Sequence, residues 1–408
     1  MATLHFVKSP DEVAGTTPPV ARTEFSAKAT HAQTRAHNAA LVLRALYDLS
    51  PISRAEIARL TGLTRTSVGE LVADLEADGL ARDVGRGRST GGKAPTLVAL
   101  VPESRTLIAL DLGERTFTAA LANLRGEIGT KRSRDVEGSD GDAALRLVHE
   151  LIEEVRAKAR SPILGIGVGT PGIVDASGTI RWAVNLDWQD LPLASILAER
   201  YDLPTIVAND SRAAALATYL FKGDERPENL VAIKIGRGIG AGLILHDQLF
   251  GGDGEAAGEI GHVVVEPDGA QCHCGRFGCL ETVASATAVL RQAREAGFTA
   301  PTIASLAAAI DAGDDRAVAL ARAAGRAVGA AIASVTGTLD VRHITVLGSM
   351  TRLGAPWLGA IREEAARRSL GPLARETKIE DGGVGEDSTL QGACALLLTH
   401  ELGLTVHR

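Results

Sequence analysis

Three of the four cysteines in this chain fall within eight residues, as Cys272, Cys274 and Cys279, and a Glu259-Ile-Gly-His262 segment ends ten residues upstream of the first. Thiols clustered this way in a chain with no secretory signature point to a metal rather than to disulfides. Cys272 and Cys274 are one residue apart, too short a loop for disulfide geometry. Gly275 and Gly278 permit the tight turns that wrapping several sulfurs around one ion requires. A tetrahedral zinc needs a fourth ligand, and His262 and His273 are both candidates. Three sulfurs and an imidazole describe a closed, structural site. Three reduced, metal-free thiols would leave the glycines and the nearby Glu259 and Glu281 unexplained.

The elements around this run must be built without many aromatics, which are 3% of the 408 residues against 45 glycines. Val, Leu, Ile and Ala must therefore form the core, with glycine at turns and ligand loops. A content of 45% hydrophobic and 23% charged residues is ordinary for a globular protein of two or three domains. The net charge of −7 excludes a protein that coats nucleic acid over its whole surface, but not a small DNA-binding module. Residues 1–20 show neither an apolar core nor a cleavage pattern, and no run of about 18 uncharged apolar residues occurs. The expectation is a cytoplasmic protein with no membrane partner.

Residues 1–30, with Pro10, Pro18 and Pro19, are expected to form a disordered tail. Residues 31–102 have the pattern of a winged helix-turn-helix. A helical apolar stripe covers 38–49, Ser53 and Glu56 suit a capping box, Gly62 turns the chain, and Thr64 caps a second helix. Ile57, Leu63, Val68 and Leu71 fall where such a motif buries its shared core. Residues 80–100 then predict a hairpin with a basic, glycine-rich tip. Thr64, Arg65, Thr66 and Ser67 open the helix that would meet base edges, while Arg82, Arg86, Arg88 and Lys93 of the wing would meet phosphates or the minor groove. A protein-interaction module with solvated charges is the competing reading, and it accounts less well for turn, wing and basic tip occurring in order.

Residues 103–408 alternate strand-like and helix-like segments, as an α/β fold does. Apolar strands end in glycine or acidic turns at Asp111-Leu-Gly113, at Gly169 to Gly172, at Asn209-Asp210, around Gly236 to Gly242, and at Gly348, which is where such folds place ligands.

Taken together these segments resemble the ROK family (repressors, open reading frames and sugar kinases) from about residue 35 to the C-terminus. The resemblance rests on Glu259-Ile-Gly-His262, the Cys272-x-Cys274-Gly-x-x-Gly-Cys279-x-Glu281 run, Gly238-Ile-Gly-Ala-Gly242, Thr170-Pro-Gly172, Asn185-Leu-Asp-Trp188 and Asn209-Asp210. It implies a two-lobed actin/hexokinase-like (ribonuclease H-like) domain with a ligand cleft between the lobes, behind the winged helix that marks the repressor branch. It further implies His262 as the fourth zinc ligand, beside Cys272, Cys274 and Cys279. Sugar hydroxyls would be held by Asn209, Asp210, Glu259, His262 and Glu281, with Asn185 as a further candidate and Gly172 admitting the ring closely. Carboxylates and amides are suited to paired hydroxyls. Trp182 and Trp188 could pack on a sugar face, but core packing is the expectation for both, and Cys394 is expected to be a core thiol.

In the family's kinases the aspartate matching Asp210 takes the proton of the attacking hydroxyl. The nucleotide side departs from the kinase pattern. Asp111-Leu-Gly113 is followed by Glu114, where a second glycine would let the backbone approach phosphate. A carboxylate about 4 Å from a phosphate charge costs on the order of 4 kcal/mol at intermediate dielectric. Arg237 replaces a hydroxyl residue in the second loop, beside Gly238 and Gly240. The expectation is that ATP binding is weak or lost. The leading reading is thus a sugar-responsive regulator, a repressor, with operator DNA, a sugar or sugar phosphate, and its own copies in a homodimer or homotetramer as partners. A ROK kinase with an appended DNA-binding domain is the alternative, and a metal sensor is a third.

Overall fold

The computed structural model describes residues 31–88, 94–113, 115–136, 141–183, 186–221, 226–382 and 387–403. The tail at 1–30, Lys93, Glu114 and Asn185 lie outside them.

The first unit is α1 (His31–Leu49), β1 (Ile52–Ser53), α2 (Arg54–Thr61), α3 (Arg65–Ala77), β2 (Ala81–Arg86) and β3 (Thr96–Leu100), with sheet order β1-β3-β2. This is a winged helix-turn-helix. Ser53 accepts from the Glu56 N–H and Thr64 from the Ser67 N–H, caps worth about 1 kcal/mol each. The Glu56 carboxylate does not complete a box; it pairs with Arg59. Gly62 takes φ +71, the left-handed conformation the turn needs. Ile57, Val68 and Leu71 are buried and Leu63 packs against them.

Two five-stranded sheets of matching topology follow. The N-lobe contributes β4 (Thr106–Leu112), β5 (Thr116–Ala122), β6 (Ile128–Asp135), α4 (Gly141–Arg156), β7 (Ile163–Thr170), β8 (Ile173–Val174), β9 (Ile180–Ala183), β10 (Trp188–Leu191), α5 (Leu193–Tyr201) and β11 (Thr205–Asn209), then α6 (Asp210–Phe221). The C-lobe contributes β12 (Leu230–Ile235), β13 (Ile239–Leu245), β14 (Gln248–Phe250), α7 (Leu280–Ala284), α8 (Ala286–Glu295), α9 (Ile303–Asp311), α10 (Asp315–Leu339), β15 (His343–Leu347), α11 (Gly354–Arg368), α12 (Gly371–Glu376), β16 (Lys378–Asp381) and α13 (Ser388–Leu402). The orders are β11-β7-β4-β5-β6 and β14-β13-β12-β15-β16. In each, the first three strands in sequence form an antiparallel meander and the last two add in parallel.

The lobes exchange helices at their interface. Helix α6 leaves the N-lobe strand β11 but packs on β12 and β13, while α13 leaves the C-lobe but packs on β4 and β7. The two helices pack on each other between the sheets. Glycines carve the seats. A Cβ on Gly167 of β7 would lie 2.1 Å from the Ala393 carbonyl oxygen, and one on Gly169 2.3 Å from the Thr389 methyl. Helix α10 is long and apolar enough to cross a membrane, but here Gly325 and Gly329 bring it against α11 in the C-lobe core.

The winged helix shares a hydrophobic core with the N-lobe. Leu46, Ile57 and Val98 cluster with Leu107, Ala120, Cys394 and Leu397. Arg125, in the turn between β5 and β6, donates to the Tyr47 carbonyl and the Ser50 hydroxyl, with its guanidinium 4.7 Å from the Tyr47 ring centre. Cys394 is a fully buried core thiol.

Candidate functional site

The metal-ligand cluster forms where a 3₁₀ turn at Ile260–His262 meets the loop ahead of α7. Gly258 and Gly261 hold that turn directly on β13. Their Cβ atoms would lie 1.9 Å from the Ala241 oxygen and 2.2 Å from the Ile239 oxygen. Gly275 (φ +85) and Gly278 (φ +68) fold the thiol run into a knuckle closed by Cys272 N–H to the Arg276 carbonyl at 2.7 Å. The ligand atoms of His262, Cys272, Cys274 and Cys279 all lie within 4.8 Å of one another. His262 Nδ1 is 3.6 Å from Cys272 Sγ, and Cys274 Sγ is 3.6 Å from Cys279 Sγ. Tetrahedral Zn–S bonds of ~2.3 Å place neighbouring sulfurs roughly 3.7 Å apart, so the donor set fits zinc. Burial pushes the Cys272 and Cys279 thiols up, so a cation is needed to hold them as thiolates. His273 is an exposed loop residue.

The other imidazole nitrogen, His262 Nε2, faces the Glu259 carboxylate at 3.8 Å. Burial raises the Glu259 carboxyl above its ordinary value; His262 opposes this, while Asp210 and Glu281 add to it. The tertiary structure therefore gathers Asp210, Glu259, His262 and Glu281 around one corner of the cleft. Glu281 Oε2 accepts the Ile239 N–H at 2.9 Å, tying α7 to the start of β13.

Several expected contacts take other forms. Gly172 (φ +92) is packed against protein on its Cβ side, since a Cβ there would lie 2.2 Å from the Trp182 carbonyl oxygen. Asn209 caps α6: Oδ1 accepts the Ser211 and Arg212 N–H groups and Nδ2 donates to the Gly172 carbonyl, which leaves one N–H to offer. Trp188 is buried as expected, but Trp182 is 51% exposed on the small β8–β9–β10 sheet, too far out for the core. The second glycine loop is shorter than its sequence suggests. Only residues 236–238 form the turn; Gly240 and Gly242 lie inside β13, where Cβ atoms would strike Ser211 and Ala215 of α6 at 2.4 Å. Gly240 thus serves helix packing rather than phosphate approach. Gly113 ends β4 at the first turn, and a Cβ there would meet the Thr116 oxygen at 3.0 Å.

A residue not anticipated from sequence sits at the centre. Lys234 of β12 places Nζ 2.7 Å from Asp210 Oδ2 and 2.8 Å from Thr389 Oγ1 at the head of α13. Thr389 in turn hydrogen-bonds Asp111 of β4. Burial pushes the Asp111 carboxyl up to about 6, with Lys234 opposing the shift and Asp210 and Asp387 reinforcing it. A charged residue inside the apolar run Leu230–Ile235 was the available signal.

On the winged helix, Arg65 and Thr66 are exposed at the head of α3, as are Arg82, Arg86 and Arg88 on the wing. The Thr64 and Ser67 hydroxyls lie 2.9 Å apart and serve the cap. Two acidic residues further along α3 are paired from neighbouring helices: Asp74 with Arg35 and Glu76 with Arg54.

Comparison with known proteins agrees with this architecture. A MarR family model matches residues 34–89 and the ROK family model matches residues 107–400. The xylose repressor of Caldicellulosiruptor bescii is 37% identical over 258 residues, 62% of this chain and 65% of that repressor. The DNA-binding transcriptional dual regulator NagC of Escherichia coli K12 is 31% identical over 390 residues, 90% of this chain and 95% of NagC. Among solved structures, a ROK family transcriptional regulator homologous to the E. coli MLC protein superposes with a TM-score of 0.78 at 28% identity, covering 91% of this chain and 98% of that one. With a two-lobed domain of duplicated topology behind a winged helix, this chain belongs to the ROK family.

Proposed function

We propose that this protein is a sugar-responsive transcriptional repressor. The observation that carries the reading is the seating of a winged helix, through one shared hydrophobic core, on a two-lobed domain whose cleft gathers Asp210, Glu259, His262 and Glu281. Carboxylates of this kind grip vicinal hydroxyls. The relatives matched along most of the chain are transcriptional regulators. Arg65 and Thr66 read base edges, Thr64 and Ser67 hold the head of α3 in place, and Arg86, Arg88 and Lys93 contact backbone phosphates. A zinc ion held by His262, Cys272, Cys274 and Cys279 serves as a fixed scaffold. It positions the Glu259–His262 turn and the head of α7, and the protein works as a cytoplasmic homo-oligomer on two half-sites.

The experiment is a gel-shift titration of the full chain on its own promoter, with D-xylose, D-glucose, N-acetyl-D-glucosamine and their 6-phosphates where they exist. At least one compound should change DNA affinity about tenfold or more. If none does, the sensor reading fails. Sugar-dependent ATP hydrolysis by the purified protein would instead support the kinase alternative.

A further inference from the structure

The hydrogen-bonded chain through Lys234 links both sheets of the two-lobed domain and the two helices between them. Asp111 belongs to the N-lobe sheet, Thr389 heads α13, Lys234 belongs to the C-lobe sheet, and Asp210 heads α6. The ammonium donates to Asp210 at 2.7 Å and to the Thr389 hydroxyl at 2.8 Å, and Thr389 is bonded onward to Asp111. Lys131 of β6 adds a bond to Asp387, the residue before α13, at 2.8 Å. The heads of α6 and α13 are thus pinned side by side by one cation.

The other ends of both helices reach the winged helix. Helix α6, about 18 Å long at 1.5 Å per residue, ends at Phe221. Phe221 packs into the core shared with α1 and lies over Gly126, where a Cβ would be 2.6 Å from its ring. Arg226, just beyond, bonds both the Leu220 carbonyl of α6 (3.3 Å) and the Asp48 carboxylate of α1 (3.2 Å). Helix α13 sends Leu397, Leu398 and Leu402 into the same core, and Gly403 abuts Ala40 of α1.

We propose that Lys234 is the positioning residue that couples sugar binding at Asp210 to the winged helix. This rests on the reading of the cleft as a sugar site. A sugar hydroxyl donating to Asp210 competes with the ammonium for that carboxylate. Lys234 then shifts toward Thr389 and Asp111, the tie between the two helix heads loosens, and α6 moves relative to α13. Close packing transmits such a shift instead of absorbing it, because Gly392 of α13 sits where a Cβ would be 2.3 Å from the Ala213 backbone of α6. The winged helix, resting on both helix ends, is re-angled. No bond is made or broken; the coupling is a difference in sugar affinity between two arrangements.

The test uses the full chain and whichever of D-xylose, D-glucose or N-acetyl-D-glucosamine releases the wild type from its promoter. Thr389→Val removes the hydroxyl at constant shape and leaves Asp210 and Lys234 in place; Thr389→Ser restores it. By calorimetry Thr389→Val should bind the sugar within about threefold of wild type, and with the tie already loosened it should bind DNA more weakly than wild type in the absence of sugar. Its sugar-induced loss of DNA affinity should fall from about tenfold or more to under about threefold, and Thr389→Ser should recover it. Lys234→Met lacks the tie, so without sugar it should bind DNA about as weakly as the sugar-bound wild type does, and it should lose the response altogether. Wild-type response in Thr389→Val or in Lys234→Met overturns the proposal, as does a Thr389→Val that loses sugar binding in proportion to its response. A wild type deaf to all three sugars overturns the parent reading, and this inference with it.

Discussion

Asp111→Asn tests the electrostatics of the cleft directly. Asp111, Asp210 and Lys234 place two carboxylates and one ammonium together, so one negative charge has no local counter-ion within that trio. Burial pushes the Asp111 carboxyl from 3.8 to about 6. Because the folded-state value is raised, the folded protein holds this proton more tightly than the unfolded chain does. The stabilisation from protonation is full below about pH 4 and is lost as the pH rises through 6. About two pKa units at 1.36 kcal/mol each set a ceiling of roughly 3 kcal/mol. Asp111 keeps some accessible surface, which brings the expected gain to about 1–3 kcal/mol. Asparagine keeps the shape and cannot ionise. Thermal unfolding at pH 7.5 should therefore show Asp111→Asn about 1–4 °C more stable than wild type, with most of that difference gone at pH 4.5. A variant less stable than wild type at pH 7.5, or a difference that ignores pH, would refute the reasoning. Lys234 would then compensate both carboxylates fully.

Three further outcomes are expected. Cys274→Ser should drop bound zinc, measured by atomic emission, from about one per chain to a small fraction, and should abolish the sugar response while DNA binding persists. Arg65→Ala should weaken operator binding by about 1–3 kcal/mol, whereas Arg88→Ala should weaken specific and non-specific DNA alike and reduce the salt slope by about one, both read by fluorescence anisotropy. Gly167→Ala forces a Cβ to 2.1 Å from the Ala393 oxygen, a backbone atom that cannot swing aside. It should cost about 1–3 kcal/mol or more, and an unchanged melting temperature would count against the seating of α13 on β7.

The parts legible from sequence are those whose determinants lie close along the chain. The helix-turn-helix followed from Ser53, Gly62 and Thr64, because caps and a left-handed turn depend on a few neighbouring backbone groups. The three thiols of the metal cluster followed from the cysteine spacing and two glycines that take positive φ, while His262 came through the family motif. The cleft carboxylates were legible through the family motif. Less was legible where a glycine's packing depends on what lies across from it. Gly172 and Gly240 stand in ligand-like motifs, yet strand β9 and helix α6 fill the space beside them. Trp182 looked like core because tryptophan is apolar, and the short sheet that carries it leaves half its surface in water.

By itself, the order of residues determined the winged helix, the zinc-type knuckle and an α/β body, since each is specified within tens of residues. Only the tertiary structure decided that α6 and α13 trade lobes, that the winged helix shares the N-lobe core, and that Asp111, Asp210, Lys234 and Thr389 meet. The first and last of those four residues are 278 positions apart in the chain. Their meeting depends on two sheets burying their inner faces against one pair of helices, and on alternate glycines in β7 and β13 that let those helices approach. Such complementarity is a property of surfaces, and no local stretch of sequence contains it.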